Sequence, residues 1–259
     1  MLLQDKVAIV SGIGPGMGRD ISVAFAREGA DVVLAARSRD NLDPVVKDVE
    51  ALGRKAVAVP TDISKAEDCK RLVDAALSQL GRVDVLVNNA FKGGVEPFIE
   101  DVSMDQWREI FAVNVFGSMQ LPQLVLPPMK AQGGGSIVFI NSMSTRIIEP
   151  AMGGYSASKG ALMMAAQTLA KEVGKYKIRV NSVVPGYIWS DKLAGYFRYL
   201  AKQQNTTYEA VYADISGRAA LHHIPTSEEI ADAVLFFASD LSRAITGQAL
   251  DVNGGAFFH

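Results

Sequence analysis

Ser11-Gly12-Ile13-Gly14-Pro15-Gly16-Met17-Gly18 follows a short apolar stretch directly and leads straight into a helical pattern. Glycines permit a tight turn and let a phosphate approach backbone N–H groups closely. The free donors and dipole of the following helix N-terminus favour negative charge. A dinucleotide pyrophosphate suits this place. The competing reading is a plain glycine-rich turn, and the strand–loop–helix context favours the phosphate.

Outward from this loop, short β-branched runs alternate with longer helical patterns. Strands are expected at Lys6–Ser11, Asp31–Ala36, Lys55–Pro60, Val83–Asn88, Ser136–Asn141, Ile178–Val184 and Gln248–Val252. They read as continuous apolar runs, as parallel strands covered on both faces do. Helices are expected near Met17–Gly29, Asn41–Gly53, Ala66–Gly81, Met104–Leu126, Tyr155–Gly174 and Ser227–Ser239. Ser103 with Gln106, and Thr226 with Glu229, have capping-box spacing. The repeated order implies right-handed crossovers and an α/β fold: a doubly wound, mostly parallel seven-stranded sheet with helices on both faces. No linker or low-complexity tract interrupts the chain, so residues 1–259 are expected to form one domain. The aromatic-rich region at about 190–225 breaks the rhythm and reads as an inserted substrate lid.

Composition narrows the function. Apolar residues make up 49% and charged residues 21% of the 259, with a net charge of −2, so the chain has no basic footprint for nucleic acid. Cys69 is the only cysteine, which rules out an internal disulfide and a cysteine-based metal cluster. Met1–Lys6 lacks the pattern of a secretory signal, and no uninterrupted apolar run is long enough to span a bilayer. A cytoplasmic location with no membrane partner is expected.

Three further features join the loop. Tyr155-Ser156-Ala157-Ser158-Lys159 opens a helix, and i, i+4 spacing puts Tyr155 and Lys159 on one face. A phenol loses its proton near pH 10, whereas a catalytic acid or base works nearer neutrality. A neighbouring ammonium and the positively charged oxidised ring of a bound nicotinamide dinucleotide both favour phenolate, so together they are expected to lower the Tyr155 pKa. A core tyrosine beside a surface lysine is the alternative for this pair taken alone. Ser142 stands 13 residues before Tyr155 at a strand end, and Asn253-Gly254-Gly255 closes the last strand.

With Gly12, Gly16 and Gly18 spaced G-x-x-x-G-x-G, the Asn88-Asn89-Ala90 tripeptide, Ser142 and Tyr155-x-x-x-Lys159, the chain resembles the short-chain dehydrogenase/reductase family over nearly its whole length. The resemblance implies a Rossmann-type fold and hydride transfer between a nicotinamide dinucleotide and a carbonyl or alcohol. It implies that Asn114, Ser142, Tyr155 and Lys159 form the catalytic set. Tyr155 would exchange the proton and Ser142 would orient the carbonyl. Lys159 would also bond the nicotinamide ribose, and Asn114 would help hold a water chain to it. It further implies cofactor contacts at Ser11, Gly12, Gly16, Met17 and Gly18, at Asp62 and Ile63, at Asn88 and Ala90, at Tyr155 and Lys159, and at Pro185, Gly186, Ile188 and Ser190. Ser190 stands where the family usually has threonine, and Phe91 replaces the usual glycine after the tripeptide. Related enoyl reductases have a longer Tyr–Lys separation, which argues against carbon–carbon double-bond reduction.

A carboxylate at the end of the second strand would bind the ribose hydroxyls of NAD. Ala36 stands there instead, followed by Arg37 and Ser38, so NADP(H) is preferred, with NAD(H) possible. Arg37 as a solvated charge is the alternative. The substrate expected is a small molecule, medium-sized and apolar or cyclic, under the aromatics Trp189, Tyr196, Phe197, Tyr199, Tyr208 and Tyr212. These rings could instead pack the lid or an interface. A 3-oxoacyl thioester reductase is the second reading, and a non-catalytic nucleotide-binding regulatory protein is the different-class one. Arg146 could meet an acyl carrier's phosphate or be a surface charge. No metal site is expected, and His222 and His223 are assigned no catalytic role. The resemblance also implies a homotetramer or homodimer through the helices Met104–Leu126 and Tyr155–Gly174 and the tail Phe257-Phe258-His259.

Overall fold

A computed structural model of the chain describes residues 1–258. His259, the end of the tail expected at an interface, lies outside the described residues. The strands are β1 (Val7–Ser11), β2 (Asp31–Ala36), β3 (Ala56–Pro60), β4 (Val85–Asn88), β5 (Gly135–Ile140), β6 (Ile178–Pro185) and β7 (Ala249–Val252). The helices are α1 (Met17–Arg27), α2 (Arg39–Glu50), α3 (Ala66–Leu80), α4 (Met104–Phe111), α5 (Ser118–Ala131), α6 (Gly153–Val173), α7 (Asp191–Gln203), α8 (Tyr208–Gly217) and α9 (Ser227–Ala238).

The sheet order is β3-β2-β1-β4-β5-β6-β7. Every neighbouring pair is parallel, so the mostly parallel sheet read from the sequence is wholly parallel. Successive side chains point to opposite faces, which is why these strands are apolar throughout. Ala8, Val10, Val32 and Leu34 join one core with Phe25 of α1, Leu42 of α2 and Phe237 of α9. Val7, Ile9 and Val33 join the other with Leu72 of α3, Leu121 of α5 and Leu162 of α6. The order reverses between β1 and β4, and the loops at that crevice carry the site.

Helix starts follow their caps. Ser38 accepts from the Asp40 N–H and starts α2 two residues before the expected Asn41. The Thr226–Glu229 capping box is complete at α9. The helix expected over Met104–Leu126 continues to Ala131 and contains a π-helical turn at Ala112–Gly117. Such a turn inserts an extra residue and re-aims its neighbours; here Asn114 is fully buried. The stretch Met104–Ala131 includes an 18-residue window of mean hydropathy 1.3, enough by length and composition to cross a membrane. In this fold Leu121, Val125 and Met129 of that stretch fill the second core.

The region 190–225 folds as α7 and α8 around its own cluster of Phe197, Ala201, Val211 and Ile224. Trp189 stands edge-on to Tyr212 at 5.2 Å and to Phe197 at 6.0 Å. Trp189, Phe197, Tyr208 and Tyr212 therefore pack this segment, whereas Tyr196 and Tyr199 are exposed.

Candidate active site

The glycine loop is tied to β4 from below. The Ser11 hydroxyl, fully buried, donates to the Val87 carbonyl at 3.2 Å and accepts from the Asn89 and Ala90 N–H groups. Asn89 returns a bond from Nδ2 to the Gly12 carbonyl at 2.7 Å. Sequence reading overlooked Asn89 as a functional residue, although it sits in the quoted tripeptide. Gly12 adopts φ +80, and a Cβ there would lie 2.5 Å from the Ala90 backbone. Gly18 also packs tightly, against the Gly12 carbonyl. Gly16, the residue preceding α1, faces open space, with Met17 as the first residue of that helix.

A cleft of about 570 Å³ opens beside this loop. It is lined by Gly12, Arg37, Ser38, Asp62, Ile63, Ala90 and Phe91, among others. Asn41, Thr61 and Lys92 also line it and were not singled out from the sequence. Arg37 has no ion-pair partner among the described residues, whereas Arg39 turns to Asp43 at 4.0 Å. The Asp62 carboxylate accepts from Ser64. Both amide atoms of the buried Asn88 side chain lack a hydrogen-bond partner. A crevice at the sheet's reversal point, an open glycine face and these orphaned polar atoms fit a dinucleotide.

At the end of β6, Gly186 follows Pro185 and has Asn253 so close that a Cβ would meet its Cβ at 2.8 Å. The Asn253-Gly254-Gly255 turn is held by Asn253 Oδ1, which accepts from the Gly255 and Ala256 N–H groups, with both glycines at positive φ. Ile188 packs on the first core, and Ser190 caps α7 by accepting from the Leu193 N–H at 3.2 Å.

Beyond β5, Ser142 stands against Tyr155, near enough for its hydroxyl to pull the phenol pKa down. Lys159 lies one turn along α6, only 3% exposed, with Nζ 5.8 Å from the Tyr155 ring centre. The shared helix face expected from i, i+4 spacing is present. The protein's own groups, without the nicotinamide that shares in the expected effect, do not lower the Tyr155 pKa. Burial pushes the phenol above its ordinary value, and Ser142 pulls it back only in part. The physical reason is that Nζ of Lys159 donates to the Ile140 carbonyl at 2.8 Å rather than to the phenol. Burial also lowers Lys159 itself, to about 8.

That value sets a pH dependence for the cofactor-free protein. Between about pH 8 and 10.5, the unfolded chain still holds a proton that folded Lys159 has released. The contribution of Lys159 to stability should therefore rise with pH across that window and carry the full cost of the buried ammonium below it. Cys69, pushed up to about 11 by burial, acts in the opposite sense above about pH 9 in wild type and variant alike. Lys159→Met is expected to flatten this rise and to raise the melting temperature at pH 7 by roughly 2–8 °C. Thermal melts of the two proteins from pH 7 to 10.5 check this; a variant less stable at pH 7 would contradict it.

Asn114 is placed by the π-helical turn. Its Oδ1 accepts from the Lys92 N–H at 2.7 Å, and Nδ2 donates to the Lys92 carbonyl and to Ser158 Oγ. Ser158 in turn donates to the Tyr155 carbonyl at 2.7 Å. Arg146 is not a free surface charge: its side chain is mostly buried and its Nε lies 3.6 Å from an Asp251 carboxylate oxygen. His223 pairs with Glu229 at 2.7 Å. Among the described residues no group of three or more His, Cys, Asp or Glu side chains could hold a metal.

A parallel sheet with a glycine loop at its crossover crevice, beside a serine–tyrosine pair and a buried lysine, defines a nicotinamide-dinucleotide oxidoreductase of carbonyl–alcohol type. A family model described as Enoyl-(Acyl carrier protein) reductase matches residues 12–256. The chain belongs to the short-chain dehydrogenase/reductase family. It is similar to a 7α-hydroxysteroid dehydrogenase solved with NADH and 7-oxo glycochenodeoxycholic acid: 36% identity, TM-score 0.88, covering 98% of this chain and 94% of that one. L-sorbose reductase of Gluconobacter frateurii, solved with NADPH and L-sorbose, shares 30% identity at TM-score 0.92, covering 99% and 98%. A 3-oxoacyl-acyl-carrier-protein reductase of Thermotoga maritima is 33% identical over 98% of this chain and 99% of its own length. Both nicotinamide dinucleotides occur among these relatives. The chain is an NAD(P)-dependent oxidoreductase of CH–OH and C=O groups.

Proposed function

We propose that this enzyme interconverts a ketone and a secondary alcohol on a medium-sized apolar or cyclic molecule, with NADP(H). The observation that carries this reading is the apolar approach to the Ser142–Tyr155 pair. Phe91, 60% exposed, stands edge-on to the Tyr155 ring at 6.2 Å. The segment carrying it runs beside the loop before α6, where the Glu96 N–H donates to the Ala151 carbonyl at 2.8 Å. Val95 and Ile99 on one side and Ile148 on the other are exposed apolar residues. Such walls favour an apolar molecule whose one polar oxygen meets Ser142 and Tyr155.

The cofactor, when bound, supplies or accepts the hydride. Gly12, Gly16, Met17 and Gly18 would hold its pyrophosphate, with Ser11 fixing the loop. Asp62, Ile63, Asn88 and Ala90 would hold the adenosine half. Pro185, Gly186, Ile188 and Ser190 would flank the nicotinamide end, and Lys159 would reach its ribose. Ser142 directs the substrate oxygen, so that the carbonyl lies correctly for attack. Tyr155 gives its proton to that oxygen in reduction and takes it back in oxidation. The phenol carries its proton at neutral pH, as reduction requires, and burial makes it a weaker acid than an ordinary phenol in the cofactor-free protein. Asn114 anchors the Lys92 backbone and Ser158 behind the pair.

Arg37 and Ser38 support the choice of NADP(H): an unpaired guanidinium lines the cleft, and no carboxylate ends β2. Arg37→Asp is expected to weaken NADPH binding by about 10–100-fold, with NADH affinity unchanged or higher. Fluorescence titration with each cofactor checks this; equal losses for both would remove Arg37 from the argument.

Thioester reduction is the second reading, favoured by the Thermotoga maritima relative. Arg146 does not help it, since Asp251 occupies that cation. Activity measured by NADPH absorbance on cyclic ketones, aldehydes and 3-oxoacyl thioesters separates the two. The ketones are expected to be turned over fastest. Assembly as a homotetramer or homodimer suits the exposed Phe116 and Met164 on the two long helices.

A further inference from the structure

We propose that Glu96 is a positioning residue for Tyr155, capping the N-terminus of the catalytic helix α6 from a distant loop. This inference rests on the role given to Tyr155 above. The residue preceding α6, Met152, offers no side-chain cap. The four N–H groups of a helix's first turn need partners from elsewhere. Glu96 supplies two: Oε2 accepts from Gly154 N–H at 3.0 Å and Oε1 from Tyr155 N–H at 2.8 Å. The carboxylate is only 5% exposed, yet its charge meets the positive end of the helix. It therefore holds the backbone of the tyrosine itself, not of a neighbour farther along.

The rest of the segment completes a clamp. Gly93 lies so close over the Tyr155 ring that a Cβ there would sit 2.4 Å from Cδ2. Phe91 meets the ring edge-on, and Lys92 between them is fixed on both backbone atoms by Asn114. Behind the helix end, Gly154 is wedged against both Glu96 and the Trp107 ring. The ring is thus confined by Phe91 and Gly93, and its backbone by Glu96. The phenol direction toward Ser142 follows from these contacts. Glycine at 93 and 154 and an acid at 96 are what this arrangement requires.

Glu96→Ala and Glu96→Gln are to be compared with the wild type and Tyr155→Phe on the panel ketone that the wild type turns over fastest. The measurements are kcat, KM, NADPH affinity and melting temperature. Misplacing a reacting group by about 1 Å costs on the order of 100-fold, so Glu96→Ala should lose about 10–100-fold in kcat. NADPH affinity should stay within about twofold, because Glu96 is remote from the cofactor loop. Glutamine keeps one acceptor oxygen and should recover part of the loss. If Glu96→Ala fails to fold, a loss of kcat in Glu96→Gln with unchanged NADPH affinity supports the proposal in its place. A kcat within threefold of wild type in both variants overturns it. So does an equal loss of kcat, NADPH affinity and thermal stability, which marks a merely structural cap. Tyr155→Phe separates the two ideas. If it is inactive while the Glu96 variants are fully active, only the positioning role falls. If it is fully active, or if the wild type reduces no panel member, the role of Tyr155 falls and this inference with it.

Discussion

Tyr155→Phe is expected to reduce kcat by about 10²–10⁴-fold, the usual contribution of a positioned acid or base. The substitution removes one oxygen and leaves the ring, so the contacts with Phe91 and Gly93 persist. NADPH affinity should change little, because the phenol lies toward Ser142 rather than the glycine loop. Stability should not fall by much either: only one oxygen of a half-buried side chain is lost, and the Ser142 hydroxyl keeps the Ser144 N–H as a partner. Parallel measurements of turnover, NADPH titration and thermal melting check the pattern. Unchanged turnover would remove Tyr155 from the chemistry.

The second large effect is expected at Gly12. Its φ of +80 disfavours any L side chain, and a Cβ would press on the Ala90 backbone at 2.5 Å. Backbone cannot swing aside as a flexible side chain can. Gly12→Val should cost about 2–5 kcal/mol through strain and overpacking, and should abolish measurable dinucleotide binding. Gly16→Ala provides the contrast, since nothing lies within 4 Å of a Cβ there. It should fold with near wild-type stability, and any loss should appear in cofactor affinity because no protein atom occupies that side of the glycine loop. Similar stability losses in both variants would contradict the separate roles assigned to the two glycines.

Much of the site was legible because its signals are local. The glycine loop lies between one strand and one helix, and Tyr155 and Lys159 lie one helical turn apart. A covered parallel strand must be apolar on both faces, which made all seven strands visible as runs. The aromatics of the region 190–225 were legible only as a set. Which of them face inward depended on α7 and α8 wrapping Phe197 and Ile224 together. Arg146 could not be read at all, because its partner Asp251 stands on β7, more than a hundred residues along the chain. The π-helical turn that buries Asn114 likewise has no distinct signature in Ala112–Gly117.

By itself the sequence determined the alternation of strands and helices, which follows from periodicity within single elements. It also supplied the glycine loop and the Tyr155–Lys159 spacing on which the proposed site rests, with the acid–base assignment implied by the family resemblance. Tertiary structure alone decided how those residues are tuned. It turned Lys159 to the Ile140 carbonyl, so that burial rather than the ammonium dominates the Tyr155 pKa. It also brought Glu96 across 59 residues of chain to the Tyr155 N–H. Desolvation and long-range hydrogen bonds depend on what packs around a group, and that is written in no one stretch of the chain.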